Sequence, residues 1–174
     1  MEQTPKPSPM HRFAWLWVFL VALIVRLLHV WFIRDTAMAS LLLGDSHSYD
    51  AWAQRIAGGQ WVGDTVFYQA PLYPYFLGVI YSLFGHSLTT VRVVQVIVGA
   101  AGCAMLGEAG RRFFSPTVGL IAGLLMAVYP PAVFSDAVLQ KSVLDLFLLA
   151  AVLMGCGMMQ QRPGWWVALK IGAA

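Results

Sequence analysis

The chain has 174 residues, of which 59% are hydrophobic and only 11% are charged. Its mean hydropathy of +0.70 excludes a soluble globule, in which about a quarter of residues are charged, and excludes a disordered chain more firmly still. The formal net charge of +3 is too small to indicate a nucleic-acid partner. The composition therefore predicts an integral membrane protein in contact with membrane lipids.

The first elements in chain order are a polar tail and an apolar run. Residues 1–12 are rich in proline and predict a disordered cytoplasmic tail. Residues 13–33 are long enough to cross the hydrocarbon layer. We interpret them as a transmembrane helix and not as a cleaved signal peptide, because the run exceeds the apolar core of about 7–15 residues found in signal peptides.

Three more apolar runs, at 88–110, 118–134 and 138–159, predict further spans, the second of which ends near Pro130-Pro131. The spans are expected to be helices because every backbone amide must be satisfied within lipid. Small residues recur at helical spacing in two of them, which predicts close helix packing. Residues 165–174 begin an apolar segment too short to cross, so we expect residues 13–174 to be the N-terminal transmembrane part of a longer protein.

The segment between the first two spans, residues 34–87, is about fifty residues long and far exceeds a usual helix connection. Its many aromatic side chains argue against disorder. We predict one short helix that is capped by Ser46 and ends at Gly58-Gly59. The apolar face of this helix predicts that it lies flat on the membrane interface, and that face consists of Tyr49, Trp52, Ala53, Ile56 and Ala57.

A second short helix is predicted from Pro71 through residues 72–84 to Gly85. At about 14 residues it is shorter than the roughly 20 needed to span a bilayer. It is therefore placed at the headgroup level, where tyrosine side chains are common.

The distribution of basic residues predicts the orientation, because short cytoplasmic loops carry an excess of lysine and arginine. A cytoplasmic N-terminus makes the segment 34–87 extracytoplasmic, together with most of the carboxylates. The basic residues that are then cytoplasmic are Lys6, Arg12, Arg111, Arg112 and Arg162.

One carboxylate, Asp45, follows the first span at the predicted lipid–water boundary, beside His47 and a helix start. Such a group can act as a general base, and it can equally be a simple helix cap, which the residue by itself favours. Taken alone, His47 is more typical of a polar interface residue than of a ligand. The sequence has no histidine pair with zinc-binding spacing, so we predict no metal and no cofactor.

Several short motifs occur in a characteristic order between positions 16 and 159. They are Gly44-Asp45-Ser46-x-x-Tyr49-x-x-Trp52-Ala53, Gly58-Gly59, Tyr68-Gln69-Ala70-Pro71-Leu72-Tyr73-Pro74, Leu83-Phe84-Gly85, Arg92 and Gly110-Arg111-Arg112-Phe113-Phe114. The series resembles the N-terminal part of membrane glycosyltransferases of the C superfamily. The most similar group is that of the protein O-mannosyltransferases and aminoarabinose transferases, including the bacterial Rgt-like domain.

The resemblance implies a helical bundle of the GT-C type and an inverting hexosyl or pentosyl transferase. The expected donor is a sugar linked to polyprenyl phosphate, and the acceptor is a hydroxyl of a lipid, glycan or protein at the extracytoplasmic face. Asp45 occupies the place of the catalytic base in such enzymes. The resemblance also implies that substrate-binding residues lie among His47, Tyr49, Tyr68, Gln69, Arg92 and Lys141.

Two of these residues keep alternative interpretations. Lys141 either meets the donor phosphate or snorkels at a helix end. Arg92 either serves the phosphate or packs the extracytoplasmic loop. Arg26 lies inside the first span, where an arginine must face the bundle or a wet cavity, and we expect its partner in a part of the protein beyond this sequence.

The chain also departs from its relatives. Many of them have an Asp-Glu pair where Asp45-Ser46 stands, and some have a metal-binding glutamate where this chain has Gln69. Gln69 is a poor metal ligand, which again predicts that no metal is bound there. The alternative to an enzyme is a non-catalytic, truncated membrane module, such as a lipid-handling, transporter-like or assembly protein, because four spans are few for two substrate sites.

Overall fold

The structure, a computed structural model, describes residues 13–42, 44–62 and 69–161 together with Gly172. Every regular element within these residues is an α-helix, which confirms the predicted all-α polytopic class. In chain order the helices are α1 (Ala14–Ile33), α2 (Ala37–Ser40), α3 (Asp45–Ala57), α4 (Leu72–Phe84), α5 (Leu88–Phe113), α6 (Pro116–Val128), α7 (Pro130–Ala137) and α8 (Ser142–Gln161). The predicted tail and, apart from Gly172, the segment 165–174 lie outside the described residues.

Helices α1, α5 and α8 are long and apolar enough to cross a membrane. Helices α6 and α7 together make a fourth such stretch, bent by 53° at Tyr129. After Tyr129 the chain is helical again from Pro130 to Ala137, beyond the predicted end of this span. Proline is well tolerated in the first turn of a new helix. The last predicted span accordingly begins at Ser142 and not at position 138.

Helix α5 is the centre of the bundle and packs against α1, α6, α7 and α8. The predicted close packing of small residues is present between α5 and α6. A Cβ atom added to Gly119 would lie 2.3 Å from the carbonyl oxygen of Gly107 and 2.5 Å from the amide nitrogen of Arg111. The two backbones therefore touch at this point, as glycine allows between helices in lipid.

Helices α3 and α4 form a hairpin-like pair over the end of the bundle where α1 ends and α5 begins. Both short helices were predicted at these positions. The apolar face of α3 is covered by α4 and not by lipid, since Gly78 of α4 brings the backbone so close that an added Cβ would be 2.6 Å from Ile56 Cγ2. The position of this helix pair at the membrane interface stays a prediction. The shared core contains Tyr49, Ala53, Tyr73, Leu77, Ile80, Tyr81, Val91, Leu139 and Val143.

The start of α3 also differs from the prediction. The helix begins at Asp45, after Gly44 in a left-handed conformation with φ of 59° that favours glycine. Ser46 is not the cap, because its hydroxyl donates to the carbonyl oxygen of Leu139 at 2.9 Å. This serine therefore connects α3 to the turn before α8.

Candidate active site

Asp45 lies exposed in the first turn of α3. The side-chain amide of Gln69 donates a hydrogen bond of 2.8 Å to Asp45 Oδ1. The fold thus brings together two predicted site residues that are 24 positions apart in the chain. A helix N-terminus stabilises a negative charge, and the bond from Gln69 fixes one carboxylate oxygen while the side chain stays accessible.

Tyr49 is one helical turn beyond Asp45 and is 2% exposed. Burial raises the pKa of Tyr49 above its ordinary value of 10.0, and the negative charges of Asp45 and Asp145 raise this pKa further. Its phenol therefore remains protonated, and its ring packs edge-on against Tyr73 with centroids 5.0 Å apart. The structure thereby adds Asp145, in the first turn of α8, to the surroundings of the site. No motif in the sequence pointed to Asp145.

Three further predicted site residues are His47, Lys141 and Tyr68. His47 is exposed on the first turn of α3, and Lys141 is exposed directly before α8. Tyr68 lies outside the described residues. The structure therefore places three predicted residues, His47, Lys141 and Gln69, on accessible surface.

The turn that leads into Lys141 is held by Gln95, a buried residue of α5 that sequence reasoning missed. Its amide nitrogen donates to the carbonyl oxygens of Asp136 at 3.0 Å and Val138 at 2.8 Å. Its amide oxygen accepts a hydrogen bond of 2.5 Å from the hydroxyl of Tyr73. A polar residue on an apolar helix was the available signal, because such a residue needs partners inside the bundle.

Arg92 contributes to the same turn. It is buried, and its guanidinium donates to the carbonyl oxygens of Ala137 at 2.9 Å and Ala39 at 2.6 Å. Of its two interpretations, these contacts favour packing of the loop segments over contact with a phosphate. Together with the bond from Ser46 to Leu139, they fix the segment before Lys141 to both α3 and α5.

Arg26 of α1 faces the inside of the bundle, as predicted, but its partner lies within this chain. Its Nε donates to Asp136 Oδ2 at 2.5 Å, and both side chains are 1% exposed. The expectation of a partner beyond this sequence is wrong. Hydropathy gives no information on contacts between residues 110 positions apart.

A second polar cluster joins α3 to α4 and to the loop before α5. The buried carboxylate of Asp50 accepts hydrogen bonds from Tyr81 at 2.5 Å and from Gln54 at 2.7 Å, and His86 Nε2 lies 3.0 Å from Asp50 Oδ1. Burial and the bond to Asp50 raise the pKa of Tyr81, so its hydroxyl remains a donor. No motif in the sequence pointed to this cluster.

No group of three or more metal-binding side chains occurs within the described part of the chain. Asp45 has the amide of Gln69 beside it, and an amide is a weaker ligand for a divalent cation than a carboxylate. The absence of a metal stays a prediction. A cavity of about 770 Å³ lies at the opposite end of the bundle and is lined by Trp15, Glu108, Arg111, Pro116 and Met158 among others, so it is separate from Asp45.

The family model described as dolichyl-phosphate-mannose-protein mannosyltransferase matches residues 68–174. The match includes α4 to α8, with Gln69, Arg92 and Lys141, whereas Asp45 precedes it. Neither a curated protein nor a solved structure matches the chain. Because the matched region is more than half of the sequence, the chain belongs to the dolichyl-phosphate-mannose-protein mannosyltransferase family of GT-C-type membrane glycosyltransferases.

Proposed function

We propose that the protein transfers a hexosyl or pentosyl group from a polyprenyl-phosphate-linked donor to an acceptor hydroxyl, with Asp45 as the general base. The acceptor oxygen attacks the anomeric carbon, and its proton passes to the Asp45 carboxylate. The bond between the anomeric carbon and the phosphate oxygen breaks, and polyprenyl phosphate leaves. Attack opposite the leaving group inverts the anomeric configuration.

The hydrogen bond between Gln69 and Asp45 is the observation that carries this proposal. It joins the motif after α2 to the motif before α4 at one accessible carboxylate. Since Gln69 occupies Oδ1, Oδ2 is the oxygen we assign to the acceptor proton. General-base assistance of this kind typically contributes about 10²–10⁴-fold in rate.

We propose that Lys141 stabilises the negative charge of the departing phosphate. A fixed cation stabilises charge that develops on a leaving group. The turn before Lys141 is held by Gln95, Arg92 and Ser46. Because Ser46 follows Asp45 directly, the bond from Ser46 to Leu139 supports a fixed spatial relation between the base and the cation.

The acceptor is proposed to be a lipid, glycan or protein, and His47, Tyr49 and Tyr68 are proposed to contribute to donor or acceptor binding. We expect no divalent cation or other cofactor in this mechanism.

We further propose a multi-pass cell-membrane location with a cytoplasmic N-terminus and Asp45 on the extracytoplasmic side. Support comes from the distribution of charge: Arg111 and Arg112 lie at the end of α5, at the opposite end of the bundle from Asp45. Basic residues concentrate on the cytoplasmic side of membrane proteins. An impermeant thiol reagent applied to Asp45→Cys in intact cells should label it, and labelling only after the cytoplasm is exposed would contradict the orientation.

The chemical proposal is tested with Asp45→Asn in the full-length enzyme, assayed in membranes with lipid-linked sugar donors. Transfer should fall by about 10²–10⁴-fold, as expected when a general base is removed. The matched control is Asp35→Asn, which makes the same charge change at an exposed aspartate whose ion pair is with the neighbouring Arg34, and it should retain activity. Near-normal turnover of Asp45→Asn would remove this residue from the mechanism and favour the non-catalytic module.

A further inference from the structure

The bend between α6 and α7 leaves a backbone carbonyl without its normal helical partner. In an α-helix the oxygen of residue 127 accepts from the amide of residue 131, but Pro131 has no N–H. Nη1 of Arg26 takes this place and donates to Ala127 O at 2.9 Å. The arginine of α1 thus satisfies the carbonyl that the proline leaves open.

The same guanidinium also bonds to α7, the helix on the other side of the bend. Its Nε donates to Asp136, which lies near the end of α7. Arg26 therefore connects α6 at Ala127 with α7 at Asp136, and a planar guanidinium presents these two donors in a fixed relative direction. One side chain therefore bonds to both helices of the bend.

Helix α5 leaves space for the ion pair between Arg26 and Asp136 because it has a glycine, Gly99, at this contact. A Cβ atom added to Gly99 of α5 would lie 2.0 Å from Asp136 Oδ2 and 3.1 Å from Arg26 Nε. Any side chain at position 99 would therefore displace the ion pair. Gly102 on the same helix is different, since its added Cβ would lie at an ordinary distance of 3.5 Å from Phe147 Cα.

Asp136 also lies shortly before Lys141 in the chain, at the point where α7 ends and the turn before α8 begins. Gln95 holds the Asp136 carbonyl, and Arg92 and Ser46 hold Ala137 and Leu139. A displacement of Asp136 would therefore act on the backbone that leads, five positions later, to Lys141. We infer that Arg26 and Asp136 are positioning residues, which set the bend between α6 and α7 and thereby place Lys141 for the phosphate of the donor.

This inference rests on the proposed function of Lys141, and its test separates the two. Gly99→Ala and the matched control Gly102→Ala are made in the full-length enzyme, and the KM for the lipid-linked donor is measured together with kcat. We expect Gly99→Ala to raise the donor KM by about tenfold or more, because small displacements of a binding group are costly, while Gly102→Ala leaves it unchanged. A merely structural role would lower the amount of active enzyme at an unchanged KM, and that result would overturn the inference.

A second measurement does not depend on catalysis. Lys141→Cys is labelled with an impermeant thiol reagent, and the labelling rate at this position is read by mass spectrometry in backgrounds with Gly99, Gly99→Ala or Arg26→Lys. Lysine keeps the charge but cannot present the two donors of the guanidinium, so both variants should change the rate at least severalfold. An unchanged rate in both would overturn the inference. If the rate changes while Lys141→Ala leaves donor use intact, the positioning role stands and the proposed function of Lys141 fails.

Discussion

The two ends of the helical bundle are held together by different interactions. At the end where α5 finishes and α6 begins, the contact is backbone against backbone, with Gly107 and Gly119 facing each other. At the Asp45 end, polar side chains such as Gln95 and Arg92 donate to carbonyl oxygens of non-helical segments. Regular helices satisfy their own backbone in lipid, but a turn near a site needs donors from elsewhere.

The difference shows how a membrane protein keeps loops rigid. Small residues are sufficient to hold two straight helices together. Fixing a turn requires buried polar side chains, and such side chains need hydrogen-bond partners. The following substitutions probe the two ends separately.

The largest effect on stability is expected from Gly119→Ala. The added Cβ would lie 2.3 Å and 2.5 Å from two backbone atoms of α5, which cannot move aside as a side chain can. The loss should reach or exceed the upper end of the roughly 1–3 kcal/mol typical of overpacked sites, measured by thermal unfolding in detergent. Gly102→Ala is the control, and a stable Gly119→Ala protein would contradict the backbone contact.

Gln95→Leu should have the next largest effect. It leaves the carbonyls of Asp136 and Val138 and the hydroxyl of Tyr73 without Gln95 as partner. The cost should be roughly 3 kcal/mol in total, the upper end of the range for a buried polar group left unpaired. Unlike Gly119→Ala, it should also raise the KM for the donor. The exposed residue Gln60 provides the control Gln60→Leu; equal effects of the two substitutions would show that the turn is not held by Gln95.

Tyr81→Phe removes one hydrogen bond to the carboxylate of Asp50 and should cost about 1.5–3 kcal/mol near neutral pH. The pKa of Tyr81 is raised in the fold, so the unfolded chain loses this proton at lower pH than the folded protein does. The contribution of protonated Tyr81 to the free energy of unfolding is complete below pH 10, the ordinary pKa of tyrosine, and declines as the pH rises further.

Thermal unfolding from pH 8 to pH 11 measures this dependence. The difference in stability between wild type and Tyr81→Phe should shrink above pH 10. A difference that grows with pH would contradict the assignment of the phenol as the donor. Tyr73 has its pKa raised by burial as well, and its presence in both proteins cancels in the comparison.

The smallest effect is expected from Ser46→Ala, which removes the bond to Leu139 and about 0.5–1.5 kcal/mol. Because that bond connects α3 to the turn before Lys141, we expect a modest increase in the donor KM beside the small loss of stability. Ser48→Ala, at an exposed position of the same helix, is the control. A donor KM that is the same in both variants would show that the link between Asp45 and Lys141 does not pass through Ser46.

Much of the architecture could be predicted locally. Hydropathy located α1, α5 and α8, and glycine and proline positions located the ends of α3 and α4, because these properties act within a few residues of the chain. The candidate site was predicted in part. The motif order identified Asp45 and Gln69, and their hydrogen bond brings together residues that had been chosen separately.

Other features depended on contacts between distant parts of the chain. Neither Gln95 nor Asp145 belonged to any motif, and Arg92 was open to two interpretations until its carbonyl partners were seen. The covering of α3 by α4 was missed because an apolar stripe is the same whether protein or lipid lies against it.

The sequence by itself determined that this chain is a helical membrane protein and roughly where its spans lie, since composition and periodicity follow from the solvent that each residue must meet. Only the tertiary structure decided that Arg26 pairs with Asp136 and satisfies the carbonyl left open by Pro131. A buried charge requires a partner, but which residue supplies it depends on how the helices pack.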